Sequence, residues 1–315
     1  MTRRSGTTDL ARRTVLVACL VAAASLLAAC NASPSTSPPA KGAVIHAVAA
    51  ENFWGSILRQ VGGPRVSVTS VITNPTTDPH TYEPTTQDAV ALARARLVIE
   101  NGIGYDPWVP RLLAADQGQP TVLDVGTLLG VPVGANPHRW YNPADVQRVV
   151  AAIVADLQGI DPSQRAYFAA RARRFTTVDL RPYHQAIAAI RARYDGTAVG
   201  ASESIFSMLA PALGLDLITP TSFLRAVSEG TDVSAADKET IDRQIRAHRI
   251  AIWVYNSQNV TPDVQAQLRE VQAAHIPYVT ITETLAPASS SYEAWQTAQL
   301  RRIESALATA ARRRT

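Results

Sequence analysis

Short apolar runs alternate with helix-length segments along most of this chain, and the alternation is broken once. The first series of strand-like runs is "VIHAVAA" (44–50), "VSVTSVI" (66–72), "RLVIENG" (96–102) and "TVLDV" (121–125). Between them lie the helical patterns "NFWGSILRQVG", "TTQDAVALARA" and "DPWVPRLLAA". Strands separated by helices of this length predict a parallel sheet covered on both faces. From Pro143 to Tyr194 the strand signal disappears, leaving "PADVQRVVAAIVADLQGI", a "DPSQ" start and "RAYFAARARRFTTVDLRPYHQAIAAIRARY". Asp161 is placed as an N-cap with Pro162 at the first helical position. The second run is long enough for about 30 residues of helix, roughly 45 Å, with Pro182 expected to kink it. Alternation then resumes with "AVGAS" (198–202), "DLITP" (216–220), "IAIWVYN" (250–256) and "YVTITE" (278–283), and a helix from Tyr292 to about Arg313 ends the chain. The expectation is an α/β fold of two Rossmann-like lobes with parallel sheets, 43–160 and 195–315, joined by one long helix over 161–194. The two halves show no sequence repeat.

The first 29 residues fall outside that pattern. Arg3, Arg4, Arg12 and Arg13 precede an apolar run that ends in Leu27-Ala28-Ala29-Cys30. This reads as a lipoprotein export signal over 1–29, with Cys30 as the lipid acceptor. Arg12-Arg13 is also compatible with twin-arginine export. Residues 30–42, rich in Ser, Pro and Ala, read as a flexible tether holding the domain off the outer face of the plasma membrane. Removing the signal takes away four arginines and Asp9, so the net charge falls from +4 to +1. With no basic patch interleaved with aromatics, nucleic acid is not an expected partner. The two cysteines are Cys19 and Cys30. The mature domain is therefore expected to have no disulfide, no thiolate metal site and no thiol nucleophile.

In open α/β sheets ligands gather outside the carboxyl ends of strands. His80 follows "VTSVI", His138 lies in "ANPHRWYNPADV", Glu203 follows a strand in "VGASESIFSML", and Glu283 ends "YVTITE". Two come from each lobe. Two imidazoles and two carboxylates suit a divalent first-row metal. Asp78 and Asn136 each stand two residues before a His, placed to orient its ring. Each residue alone has an ordinary reading: a surface loop His, a first-turn acid at Glu203, a strand-end charge at Glu283. The echo between "DPHTYEP" and "NPHRWYNP", two Pro-His loops leading into helices, tips the reading toward a shared site. His184, His248 and His275 read as structural, the last two finishing helices, and His46 is expected to pack within the first strand or line a loop.

"DPHTYEPT" together with "NPHRWYNPADV" is similar to the signature of the Zn/Mn/Fe-binding receptors of ABC importers, the cluster A-I family, over essentially the whole mature chain. The resemblance implies four ligands at an interlobe site: His80 and His138, then Glu203 in its "SE.IF" context and Glu283 before "TLAP". It implies a divalent metal, zinc or manganese, as transported ligand, an ABC permease as partner, a monomer, and no enzymatic activity. Zinc importers of the family often carry a His-rich loop, but residues 103–137 contain no His. Zinc-type members usually have His where Glu203 stands, which leans towards manganese. Manganese members commonly have Asp as fourth ligand, where Glu283 is one carbon longer. Many relatives carry an acid at Tyr255-Asn256; here Asn256 or Gln258 is expected to support the cleft without ligating.

Two rival readings remain. A secreted metal-dependent hydrolase needs an open coordination position beside a general base, but the chain has no H-E-x-x-H. Glu51 or Asp232 is available as base without supporting spacing. A receptor for haem or a chelated metal would draw on Tyr82, Tyr141 or Tyr255. On an adhesin role the sequence is silent.

Overall fold

The computed structural model describes residues 44–74, 77, 82–115 and 118–314. The export signal, Cys30, the tether, Asp78 and His80 lie outside the described residues. The first lobe runs β1 (Ile45–Glu51), α1 (Asn52–Gly62), β2 (Val66–Ile72), α2 (Thr86–Ala93), β3 (Leu97–Glu100), α3 (Trp108–Ala115), β4 (Thr121–Asp124) and α4 (Val125–Leu129). Its four strands are parallel in the order β2-β1-β3-β4. β1 is buried at every position except His46, and β3 throughout, as expected of strands covered by helices on both faces. The exposure of His46 corrects its expected packing: it stands at the strand's N-terminal end, on a groove between β1, β2 and α2.

A helical section follows: α5 (Pro143–Ile160), α6 (Arg165–Arg174) and α7 (Arg181–Tyr194). Asn142 caps α5, accepting from the amides of Ala144 and Asp145, with Pro143 in the first turn. Asp161 accepts from the amide of Ser163 and starts a 3₁₀ turn, Pro162–Gln164. The long helix expected here is interrupted by a π-helical turn at Phe175–Asp179. The Leu180 amide reaches back five residues to the Phe175 carbonyl, and Pro182 sits in the first turn of α7. Instead of kinking a continuous α-helix, Pro182 follows a widened turn and sits in the first turn of α7, where its missing N–H costs no intrahelical bond.

The second lobe runs β5 (Ala198–Ala201), α8 (Ala210–Leu213), β6 (Asp216–Leu217), α9 (Thr221–Ser228), α10 (Ala235–Arg246), β7 (Trp253–Asn256), α11 (Pro262–Ala273) and β8 (Tyr278–Ile281). Its sheet is parallel in the order β6-β5-β7-β8. Numbered within its own lobe, each sheet has its second strand outside the first, then the third and fourth on the other side. The halves share a topology where they share no visible sequence. The final helix, α12 (Tyr292–Arg314), packs along α7 and reaches α1. Buried bonds tie the lobes near this spine: the Leu285 amide to Asn52 Oδ1 at 3.0 Å, and Tyr292 Oη to the Trp140 carbonyl at 2.6 Å. Among the described residues no helix is long and apolar enough to cross a membrane.

Candidate metal centre

His138 stands two residues after Asn136, in the loop between α4 and α5. Its backbone amide donates to Asn136 Oδ1 at 3.0 Å, and its ring Nδ1 lies 2.8 Å from the same oxygen. The amide of Asn136 is fixed in orientation by its other end, since Nδ2 donates to the Ser204 carbonyl at 2.8 Å and to Ser207 Oγ at 3.1 Å. Oδ1 therefore can only accept, and Nδ1 carries the ring proton. The lone pair is left on Nε2. That atom faces Glu203 Oε1 at 3.7 Å and Glu283 Oε2 at 3.9 Å.

Glu203 does not open an α-helix. It occupies the N-cap position of a 3₁₀ turn, Ser204–Met208, just past β5, and its Oε2 accepts from Asn259 Nδ2 at 2.8 Å. Glu283 lies just past β8. Its Oε2 accepts from Tyr105 Oη at 2.7 Å and its Oε1 from Asn256 Nδ2 at 2.8 Å. Each acid is thus held by neutral donors, which orient it without cancelling its charge. The three residues are buried, with 0% exposure for His138, 1% for Glu203 and 3% for Glu283. One donor atom from each lies within 4.8 Å of the others, a spacing able to hold a metal ion.

Of the expected site residues, His138, Glu203 and Glu283 are therefore brought together, and Asn136 lies against the His138 ring. Asn256 supports Glu283 directly, while Gln258 donates to Thr284 Oγ1 at 2.9 Å. His184, His248 and His275 lie apart from this group. Sequence reasoning missed Tyr105 and Asn259. Tyr105 follows β3 in "NGIGYDP", and a signal for it was present in the two glycines, which mark a tight turn at a strand's carboxyl end. Asn259 carries no such mark.

The periplasmic zinc-uptake complex component A family matches residues 47–306. A manganese-binding lipoprotein, MntA of Halalkalibacterium halodurans, is 28% identical over 154 residues, 48% of this chain and 51% of that protein. The high-affinity zinc uptake system protein ZnuA of Bacillus subtilis is 25% identical over 179 residues, 49% of this chain and 53% of that protein. The matched stretches thus span about half the length of these curated relatives. A crystal structure of ZnuA superposes with a TM-score of 0.67 at 22% identity, covering 84% of this chain and 99% of that one. The Mn-bound periplasmic metal-binding protein from Candidatus Liberibacter asiaticus gives 0.66 at 18% identity, covering 83% and 98%. At these identities the structural likeness speaks for the fold.

Proposed function

Because the chain belongs to the family of the periplasmic zinc-uptake complex component A, we propose that it is a lipid-anchored extracytoplasmic receptor. It captures a divalent transition-metal ion, zinc or manganese, and delivers it to an ABC permease. The family is one of solute-binding proteins, not enzymes, and the work of the site is coordination and release. The observation that carries the reading is the convergence of one imidazole and two carboxylates, all buried, on a single point. Burying two carboxylates side by side is costly, because each raises the energy of the other's charged form. A dication between them turns that cost into attraction, and nitrogen with carboxylate oxygen suits zinc and manganese alike.

In this reading His138 Nε2, Glu203 and Glu283 are donors and His80 supplies a second imidazole. Asn136 fixes the tautomer of His138, and Asp78 has the corresponding place before His80. Residues 1–29 are removed on export, Cys30 takes the lipid, and 30–42 form the tether. The two lobes are 43–160 and 195–315, and 161–194 joins them. The receptor works as a monomer.

Titration calorimetry with Zn²⁺ and with Mn²⁺ tests the assignment. His138→Ala and His80→Ala should each abolish high-affinity binding while circular dichroism shows the fold intact. Unchanged affinity in both variants would remove the site. Competition between the two ions on the wild-type protein identifies the one preferred.

A further inference from the structure

Each of the two glutamates turns one carboxylate oxygen towards His138 and gives the other to an asparagine. Glu203 Oε1 stands 3.7 Å from His138 Nε2, while its Oε2 accepts from Asn259 Nδ2 at 2.8 Å. Glu283 Oε2 stands 3.9 Å from the same nitrogen, while its Oε1 accepts from Asn256 Nδ2 at 2.8 Å. Tyr105 also donates to Glu283 Oε2, but a carboxylate oxygen has two lone pairs, so a cation can share it.

Both amides are fixed in orientation by further bonds. Asn259 Nδ2 also donates to the Val227 carbonyl at 3.1 Å. Both partners of that nitrogen only accept, so the NH₂ end is the one that meets Glu203. Asn256 Oδ1 accepts from the Gln258 amide at 3.0 Å, which turns its Nδ2 to Glu283. These contacts limit how the glutamates can hold a cation. A chelating carboxylate brings both oxygens to the ion. Here the second oxygen carries an N–H, whose positive end would be driven against the cation unless the bond were given up.

Residue type does not separate zinc from manganese at this site, but the number of donor atoms does. One oxygen from each glutamate and one nitrogen from each of His138 and His80 make four. Zinc is satisfied by four ligands in a tetrahedron, whereas manganese suits an octahedron of oxygens. For bonds of about 2.1 Å, neighbouring donors stand about 3.4 Å apart on a tetrahedron and about 3.0 Å apart on an octahedron. The separations of 3.7 and 3.9 Å from His138 Nε2 lie nearer the tetrahedral spacing.

We propose that Asn256 and Asn259 are positioning residues that set the metal preference. They hold Glu283 and Glu203 to one donor oxygen apiece and so favour zinc over manganese. The assignment rests on reading His138, Glu203 and Glu283 as metal donors.

The test titrates wild type, Asn259→Ala and Asn256→Ala with Zn²⁺ and with Mn²⁺ and compares the ratio of the two dissociation constants. Removing a group that orients a metal ligand weakens binding by about 10–100-fold; zinc should show that loss, while manganese, able to take up the released oxygen, stays within about threefold of wild type. Loaded with Co²⁺ in place of zinc, wild type should show the strong visible absorption of a four-coordinate ion. The alanine variants should show the weak absorption of a higher coordination number. An equal loss for both ions, or no loss for either, leaves the ratio unmoved and would overturn the proposal. So would a six-coordinate cobalt spectrum in wild type. Asn256 is wholly buried; if Asn256→Ala fails to fold, Asn259→Ala, at a partly exposed loop position, decides. Should wild type bind neither ion, the metal reading itself falls. A wild type that binds zinc, with a ratio the variants leave unmoved, sinks only the role given to the asparagines.

Discussion

Glu100 shows at the scale of one residue what it costs to gather acids at a sheet's carboxyl end. It is 7% exposed. Burial first, then the charges of Asp106 and Asp124, push its carboxyl up to about 8. In the unfolded chain the group titrates near the ordinary glutamate value of 4.5. Between those two values the folded protein binds more protons than the unfolded one, so stability falls as pH rises through the window and the penalty is absent below it. Glu100→Gln should flatten this slope, raising Tm at pH 8 relative to wild type while leaving the two proteins alike at acid pH. Parallel melting curves of both proteins across the range check it; an unaltered slope would show that Glu100 is not the group responsible.

At the scale of elements, legibility followed the source of the signal. The run "VSVTSVI" was readable from its alternating β-branched residues, and β2 begins and ends where that run does, although as an edge strand it buries only Val66 and Ile72. "IAIWVYN" overran β7, since Ile250 and Ile252 are buried outside the ladder, and burial alone does not separate a strand from its approach. The π turn before α7 was not readable, because composition does not distinguish a kinked helix from a widened one. In the centre, His138 was legible through its Pro-His loop and Glu203 and Glu283 through their place after strands. Asn259 was not, because its contact with Glu203 depends on how α9 and the loop after β7 meet. Close packing between strands sets a further limit. A Cβ on Gly200 in β5 would lie 2.5 Å from Trp253 Cε3 and 2.7 Å from Cζ3, against a buried ring that has no room to move. Gly200→Ala should therefore cost about 1–3 kcal/mol, as overpacked cores do, measured as a lower midpoint in urea with an unchanged slope. No loss of stability would mean that β5 and β7 can separate without penalty.

For the whole molecule the common strand order matters most. Each lobe carries an acid at the carboxyl end of its first strand, Glu51 closing β1 and Glu203 two residues past β5, and an amide at the end of its third, Asn101 just past β3 and Asn256 closing β7. Asn256 braces Glu283, and Asn101 braces the carbonyl before His138. Of the two acids, Glu203 faces the proposed centre. Enclosure by both lobes leaves His138, Glu203 and Glu283 0–3% exposed, and this has a kinetic consequence. An ion arriving by diffusion meets a shut door, so each capture must wait for the protein to breathe. In stopped-flow mixing the loading rate should rise with ion concentration and then level off at the frequency of opening, well short of the diffusion limit. A rate that climbs in proportion to concentration throughout would mean the door stands open.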